Sequence, residues 1–561
     1  MLLKDAVRAR LTPDTTVQTS DVGEGEMTEN HTGLHRRIGP RQVQLFAIGG
    51  SIGTALFVSI GAALYKGGPA SLFLALVFQS CIMGLVNNCM AEMIVLMPVS
   101  GGFVRLADHW VDRAFGFMAG VNFFLYEALQ IPFEITALNV VLGYWRDDIP
   151  IAAVCIACTA AYAMINFFPV KFYGEVEFWL SSGKVILLFI LFLFTFVTMV
   201  GGNPQHDSYG FRNWTDPAPF NEWISTGSMG KFEGFLECLW FSAFIVVGPE
   251  YISMIAAEAV HPRVNIKRAF KTTYWRFGLF FIGSALCVGT VISSRDSTLG
   301  NLVGGSTSGS GTATASPYVI AMSNLRISAL PHLVNALLFT SIFSAGNTYM
   351  FCATRNLYGL AQVGHAPKFL LRCTKSGIPI YCLGIVTLFP FLSLLQLSNS
   401  TAQVLEWLVG IITGGGLINF IVVCITYLCY YQANVAQGVD RRLLPYYGWF
   451  QPFSAWIGLI VLVFIAIFNG YAIFLPGEFT ASGFLTKYAM IILAPICYAG
   501  SKICWRTRLL HSVDVDLVWE RPLIDAYEER QGEETSGSLK IQLKDILMGR
   551  LWEKSTSGDG M

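Results

Sequence analysis

The sequence predicts an all-α integral membrane protein of about twelve transmembrane helices. Three observations predict it. Of 561 residues, 53% are hydrophobic and only 13% charged, with a mean hydropathy of +0.53; a soluble domain carries roughly 25% charged residues. Apolar runs long enough to cross a hydrocarbon core, which takes roughly 20 residues, recur along the whole chain. Lysine and arginine alternate between rich and poor loops, the bias seen when one side of a bilayer retains positive charge.

The apolar runs begin near Gln42, Ala70, Phe115, Pro150, Phe178, Gly234, Tyr274, Leu333, Ile378, Val404, Phe453 and Leu485. A shorter amphipathic stretch, Gly102 to Arg113, is expected to lie on the cytoplasmic surface. If the N-terminus is inside, the cytoplasmic loops hold Arg105, Arg113, Lys171, Arg263, Lys267, Arg268, Lys271, Lys368, Arg372, Arg441 and Arg442. The opposite side keeps only Lys66, Arg146, Arg212, Lys231, Arg295, Arg326 and Lys487, so both termini are expected in the cytoplasm. Two sequons, at Asn213 and Asn399, fall in loops that this topology puts outside, where glycosylation is possible. The Gly/Ser/Thr tract from Gly304 to Ser316 reads as an outside linker.

Acidic and basic residues balance at 37 each, so nothing pulls the chain toward nucleic acid. The thirteen cysteines are scattered, mostly in apolar runs, and the Cys155–Cys158 pair reads as packed thiols. No metal-ligand spacing, nucleophile elbow or phosphate loop is present; neither an enzyme nor a bound cofactor or metal is expected.

Two spans violate the rule that a crossing helix keeps its own hydrogen bonds. Gly49-Gly50-Ser51-Ile52-Gly53-Thr54 sits mid-way in the first, and each glycine weakens a helix by about 1 kcal/mol relative to alanine. Val247-Gly248-Pro249-Glu250 interrupts the sixth, where proline removes a donor and clashes with the preceding turn. Unwound backbone at membrane depth is tolerated only where it lines a cavity or is buried in protein, and breaks at matching positions of two halves point to a transporter's site. The freed amides of the first break suit a carboxylate, and the freed carbonyls of the sixth suit an ammonium. Together they describe an α-amino acid.

Charges inside spans cost at least about 2.5 kcal/mol each at a helix centre and are functional candidates by default. Glu92, Glu127, Glu134, Lys184 and Glu250 stand out. Glu127 and Glu134, seven residues apart, share a helix face that looks into the bundle. Glu134, Lys184 and Glu127 are the candidates for proton coupling; Glu250 is expected to brace the sixth break and Glu92 a cytoplasmic end. An ionised Glu134 at the site would disfavour an anionic side chain on the cargo.

The residues also resemble a known family. GGSIGTALF (Gly49 to Phe57), EAVHPR (Glu258 to Arg263), VKFYGEVEFWLSSGKV (Val170 to Val185) and SAGNTYMFCATRNLYGLAQVGHAPK (Ser344 to Lys368) are similar to the fungal amino acid permeases of the amino acid–polyamine–organocation superfamily. The resemblance runs from about Leu34 to Arg508; the loop Gly201 to Phe220 and the tail stretch Ser512 to Leu517 look most like the dicarboxylic amino acid permease branch. It implies a leucine-transporter-like fold, a five-plus-five inverted repeat with broken first and sixth helices, and proton-coupled uptake at the plasma membrane. By position, Ser51, Ile52, Gly53, Thr54 and Ala55 would contact the substrate carboxylate, Phe244 would be the aromatic gate, and Val247 would offer a carbonyl to the amine. Lys184 matches a family lysine that stands in for a sodium ion and bridges to the first span. Ala55 replaces a glycine, and Ile245, Val246 and Val247 are bulkier than the family pattern, which bears on the substrate.

The expected organisation is a disordered cytoplasmic tail over 1–40, a twelve-helix transporter domain over 41–508, and a cytoplasmic tail over 509–561. That last tail, rich in Glu, Lys and Ser, reads as solvated, with Lys540 and Lys544 as sites for trafficking or ubiquitination partners. The expected partners are thus an amino acid, protons and the lipid bilayer. An amino acid sensor that does not transport, and a carrier for an unusual amino acid or amine, are the alternatives.

Overall fold

The computed structural model describes residue 36 and residues 38–531, apart from 147, 305–315, 476 and 478. Most of the 1–40 tail, the interior of the Gly/Ser/Thr tract, and Lys540 and Lys544 lie outside the described residues.

The chain enters through α1 (Pro40–Gly49), unwinds over 50–53, and resumes in a π-helical turn at Ala55–Ser59 that runs into α2 (Ile60–Leu96). Residues Ala55–Leu96 form one apolar run of 42 residues, about 63 Å if straight and twice the thickness of a hydrocarbon core. It is not straight. Gly68 has φ 84° and ψ 169°, a conformation open to glycine alone, and Pro69 follows it. The backbone groups freed at this kink are taken up by a distant loop. Asn221 N donates to Gly67 O at 2.9 Å and Ala70 N to Pro219 O at 2.9 Å. The first span therefore ends at the kink and the second begins there.

Nine further apolar helices of 18 residues or more follow among the described residues, and the 17-residue α5 (Ile151–Phe167) is an additional, shorter one. With the long run divided at Gly68, this gives the twelve crossings expected. They comprise α4 (Arg113–Leu142), α5, α6 (Val170–Met199), the α7 (Gly227–Ile245) and α8 (Pro249–Ile255) pair, and α9 (Pro262–Arg276) with α10 (Gly283–Val291). After two short helices, α11 (Ser297–Gly304) and α12 (Pro317–Asn324), come α13 (Leu330–Gln362), α14 (Ile380–Val386) with a 3-10 continuation to Leu397, and α15 (Thr401–Ala436). The last two are α16 (Phe453–Phe468), continued by a 3-10 turn, and α17 (Ala481–Trp505).

Several starts precede the apolar runs that announced them: α6 begins at Val170 rather than near Phe178, and the α9–α10 span at Pro262 rather than near Tyr274. Apolarity marks the lipid-facing stretch, whereas helix starts are set by proline at the first turn and by polar residues beyond the hydrocarbon. The stretch after the second span is α3 (Gly102–Trp110), an α-helix that is largely buried. In the centre, α4 packs against α13, α15 and α17, α2 against α7, and α1 against α6.

The chain just past Arg508 corrects the reading of the C-terminal tail as solvated. Val515, Leu517 and Ile524 are buried. Trp110 Nε1 donates to Asp516 O at 3.3 Å, Arg105 pairs with Glu520 at 2.6 Å, and Arg263 pairs with Asp525. Arg36, just before α1, stacks over Tyr527 at 4.4 Å. A stretch rich in Glu, Lys and Ser reads as solvated in sequence; tertiary contact supplies arginine partners and a place for three apolar side chains.

Candidate functional site

The site is built where the two broken helices meet α4, α6 and α13. At the first break, Gly50 caps the end of α1, and a Cβ there would lie 2.7 Å from the Tyr251 ring. Gly53 is equally confined, its Cβ position being 2.8 Å from Glu134 Oε1 and 2.9 Å from Ala345 Cβ. Glycine is required here because three other helices approach the unwound backbone. At the sixth-span break, Val246, Val247 and Gly248 separate α7 from α8; Gly248 has φ 144° and its Cβ position faces Ser51 at 3.3 Å. Pro249 opens α8 at the position where its missing donor costs least. Ser51, Ile52, Thr54, Phe244 and Val247 are all buried, while Ala55 begins the π turn and is half-buried.

Several of the freed polar groups have protein partners. Lys184 Nζ donates to Gly49 O, and Tyr349 OH donates to Gly50 O at 3.0 Å. Thr54 Oγ1 donates to Glu134 Oε2 at 2.5 Å. Gly248 N donates to Glu250 Oε2 at 3.0 Å, so Glu250 caps the short helix it belongs to. Ser51 is turned away: its hydroxyl donates back to Ala47 O at 2.9 Å and to Ile48 O at 3.2 Å. Phe244 stands edge-on to Phe133 at 5.4 Å.

Glu127, on the same face of α4 as Glu134, is fully buried, and neither carboxyl oxygen has a hydrogen-bond partner among the described residues. It is not drawn into the Thr54–Glu134 contact; Glu250 and Tyr126 are its charged and polar neighbours. Glu92 lies elsewhere, taking two bonds from Arg441 at 2.8 and 2.7 Å and one from Tyr427 at 3.0 Å. Asn213 donates to Thr290 O at 2.7 Å, and Asn399 bonds within its own turn to Leu395 O and Ser398 Oγ.

Sequence reasoning missed Glu177, Ser344, Asn347, Tyr349 and Tyr126. Glu177 is 1% exposed and accepts from Ser181 Oγ at 2.7 Å and from Ser344 Oγ at 2.5 Å. It stood one residue before the expected start of its span, so its depth was not legible. An acid two helical turns from Lys184 on the same face was the signal available.

A model of the family described as amino acid permease matches residues 42–512 of the chain, across both breaks and every span. The chain belongs to the amino acid permease family. Among the most similar curated proteins, a general amino acid permease of Saccharomyces cerevisiae is 44% identical over 480 residues, 85% of this chain and 80% of that protein. A proline-specific permease of Emericella nidulans is 36% identical over 90% of this chain and 91% of its own length. A dicarboxylic amino acid permease of Saccharomyces cerevisiae is 33% identical over 92% and 84%. This permease is thus a multi-pass membrane protein of amino acid transport and not an enzyme. Within it, the two ends of the first break are bonded to buried charges, Thr54 to Glu134 and Gly49 to Lys184.

Proposed function

We propose that this permease takes up amino acids across the plasma membrane together with protons, with both termini in the cytoplasm. The observation that carries the reading is the bond between Thr54 and Glu134. Glu134 accepts from the hydroxyl of Thr54, just past the unwound stretch that would receive a substrate carboxylate, so the acid and the substrate would compete for that donor. Two carboxylates cannot share a small desolvated site while both are ionised. Entry of an amino acid carboxylate at Ser51–Ala55 therefore goes with protonation of Glu134, and cargo and proton arrive together. Lys184, tied to Gly49 O in the same backbone, links occupancy of that site to the position of α1. Phe244 closes over the bound cargo and the Val247 carbonyl receives its ammonium.

The same observation favours a second reading of the cargo. An ionised Glu134 that stays in place would pair with an ammonium, and the carrier would then prefer an amine or a cationic amino acid over an acidic one.

The test is uptake of a panel of radiolabelled amino acids and amines by permease-deficient yeast expressing the full chain, at pH 5 and pH 7.5, beside Glu134→Gln. Zwitterionic amino acids taken up faster at acid pH, with the gain lost in the variant, support symport. Uptake of amines alone supports the second reading. A chain that reaches the surface and moves nothing on the panel overturns both.

A further inference from the structure

A groove of about 310 Å³ opens on the outside of the bundle between α4, α15 and α17. Its walls are Phe115 and Met118 of α4, Ile421 and Ile425 of α15, and Pro495 of α17, with Leu509 at the end where the chain leaves α17. The one hydroxyl in the lining, that of Tyr498, is turned to Asp112 Oδ2 at 3.4 Å, which leaves the groove apolar. α17 is the least buried of the apolar spans among the described residues, so this face looks toward hydrocarbon. Water in such a groove would lack polar partners, and the natural occupant is an alkyl chain.

The mouth of the groove is basic. It lies on the side of the two tails, which meet where Arg36 stacks over Tyr527. Leu510 N donates to Val111 O at 3.2 Å, holding the stretch after α17 against the residues that lead into α4. Asp112 is already engaged twice: Oδ1 accepts from Phe115 N at 2.7 Å, and Oδ2 pairs with Lys502 at 2.5 Å. Arg113 lies over the Trp505 ring at 4.9 Å, which sets the first residue of α4 against the last of α17. Arg506 follows at once, and Arg508 adjoins Leu509 of the lining. Arg113, Arg506 and Arg508 are exposed and make no ion pair among the described residues. Against these three arginines the same stretch offers one further acid, the exposed Asp514, an excess of two positive charges.

We propose that the groove seats an anionic phospholipid of the leaflet on the side of the tails. One acyl chain lies between α4, α15 and α17, and the headgroup phosphate rests on Arg113, Arg506 and Arg508. Guanidinium groups match phosphate oxygens in pairs, and basic residues at the end of a span draw anionic lipid from the mixture around them. A zwitterionic lipid brings the same chains, but its own ammonium offsets the attraction. A second copy of the chain docked about a two-fold axis through the groove would instead set arginine against arginine. The bound lipid joins the peripheral α17 to α4, the helix that carries Glu127 and Glu134.

The test is native mass spectrometry of the delipidated full-length protein in detergent, titrated with phosphatidylserine or with phosphatidylcholine of the same acyl chains. The variants are Arg506→Gln with Arg508→Gln, which alters the mouth, and Ala494→Phe, which fills the groove from α17. The wild type is expected to retain one phosphatidylserine in preference to phosphatidylcholine. The arginine variant should lose that preference, by about fivefold for each arginine, and Ala494→Phe should weaken the binding of both lipids. Equal retention of the two lipids by the wild type overturns the proposal, as does a preference unchanged in the arginine variant or lipid binding unchanged in Ala494→Phe. A protein dimer that Ala494→Phe dissolves would give the groove to a second copy and overturn it as well. Should Ala494→Phe fail to fold, the arginine variant, altered only at exposed side chains, decides alone.

Discussion

Gly53 and Glu134 meet across the first break so closely that only a hydrogen fits between the backbone and the acid. A methyl group at Gly53 would stand 2.8 Å from Glu134 Oε1 and 2.9 Å from Ala345 Cβ. Gly53→Ala must therefore push α4 or α13 aside, a cost of about 1–3 kcal/mol for overpacking a well-filled interior. The expected outcome is a purified protein with a lower melting temperature and, at equal surface abundance, a loss of uptake. Unchanged melting would mean that the break is looser than these distances indicate.

Glu92 is predicted to be a structural anchor rather than a coupling group. Arg441 and Gly448 N both reach it, at 2.7–2.8 Å, and Tyr427 completes the set. Glu92→Ala would leave the Arg441 guanidinium without its carboxylate in a mostly buried position, and breaking such a pair costs about 3–5 kcal/mol. A large drop in folded yield is expected, with the acid dependence of any residual uptake unchanged. An altered pH profile with normal yield would count against it.

The docked tail should respond to pH through His109, which stacks on Trp519 at 4.1 Å. Burial holds the His109 imidazole below its ordinary value of 6.5, against the opposite pull of Asp516, Asp108 and Glu520. A base depressed in the docked state binds fewer protons than when undocked, so docking is fully stabilised above about 6.5 and weakens as pH falls below it. Limited proteolysis of the 509–531 stretch should accelerate between pH 7.5 and pH 5.5. His109→Gln should flatten that dependence, and proteolysis independent of pH in the wild type would contradict the prediction.

The two sequons should differ in use. Asn213 is fastened across the fold to Thr290 O at 2.7 Å and its neighbour Trp214 packs on Phe73, whereas Asn399 bonds only within its own turn. Glycosidase treatment of the expressed protein should give one mobility shift, abolished by Asn399→Gln and kept in Asn213→Gln. The reverse pattern would show that the Asn213 contact forms only after a glycan is refused or removed.

Composition and local pattern were enough for the class of fold, the number of crossings and both helix breaks. Apolar length, the charge deficit, and glycine or proline inside a span are properties of the chain itself, because lipid imposes the same hydrogen-bond rule on every helix that crosses it. Glu134 and Lys184 were legible for the same reason, a charge inside an apolar run being costly wherever it points. What they touch was not. That Thr54 holds Glu134, that Gly49 covers Glu177, and that a charged tail stretch lies against Arg105 and Arg263 are pairings between residues 80, 128 and more than 250 positions apart. Such contacts depend on which helix faces meet when α1, α4, α6 and α13 pack together. Periodicity gives a helix its faces, but only the packed bundle decides which neighbour each face receives.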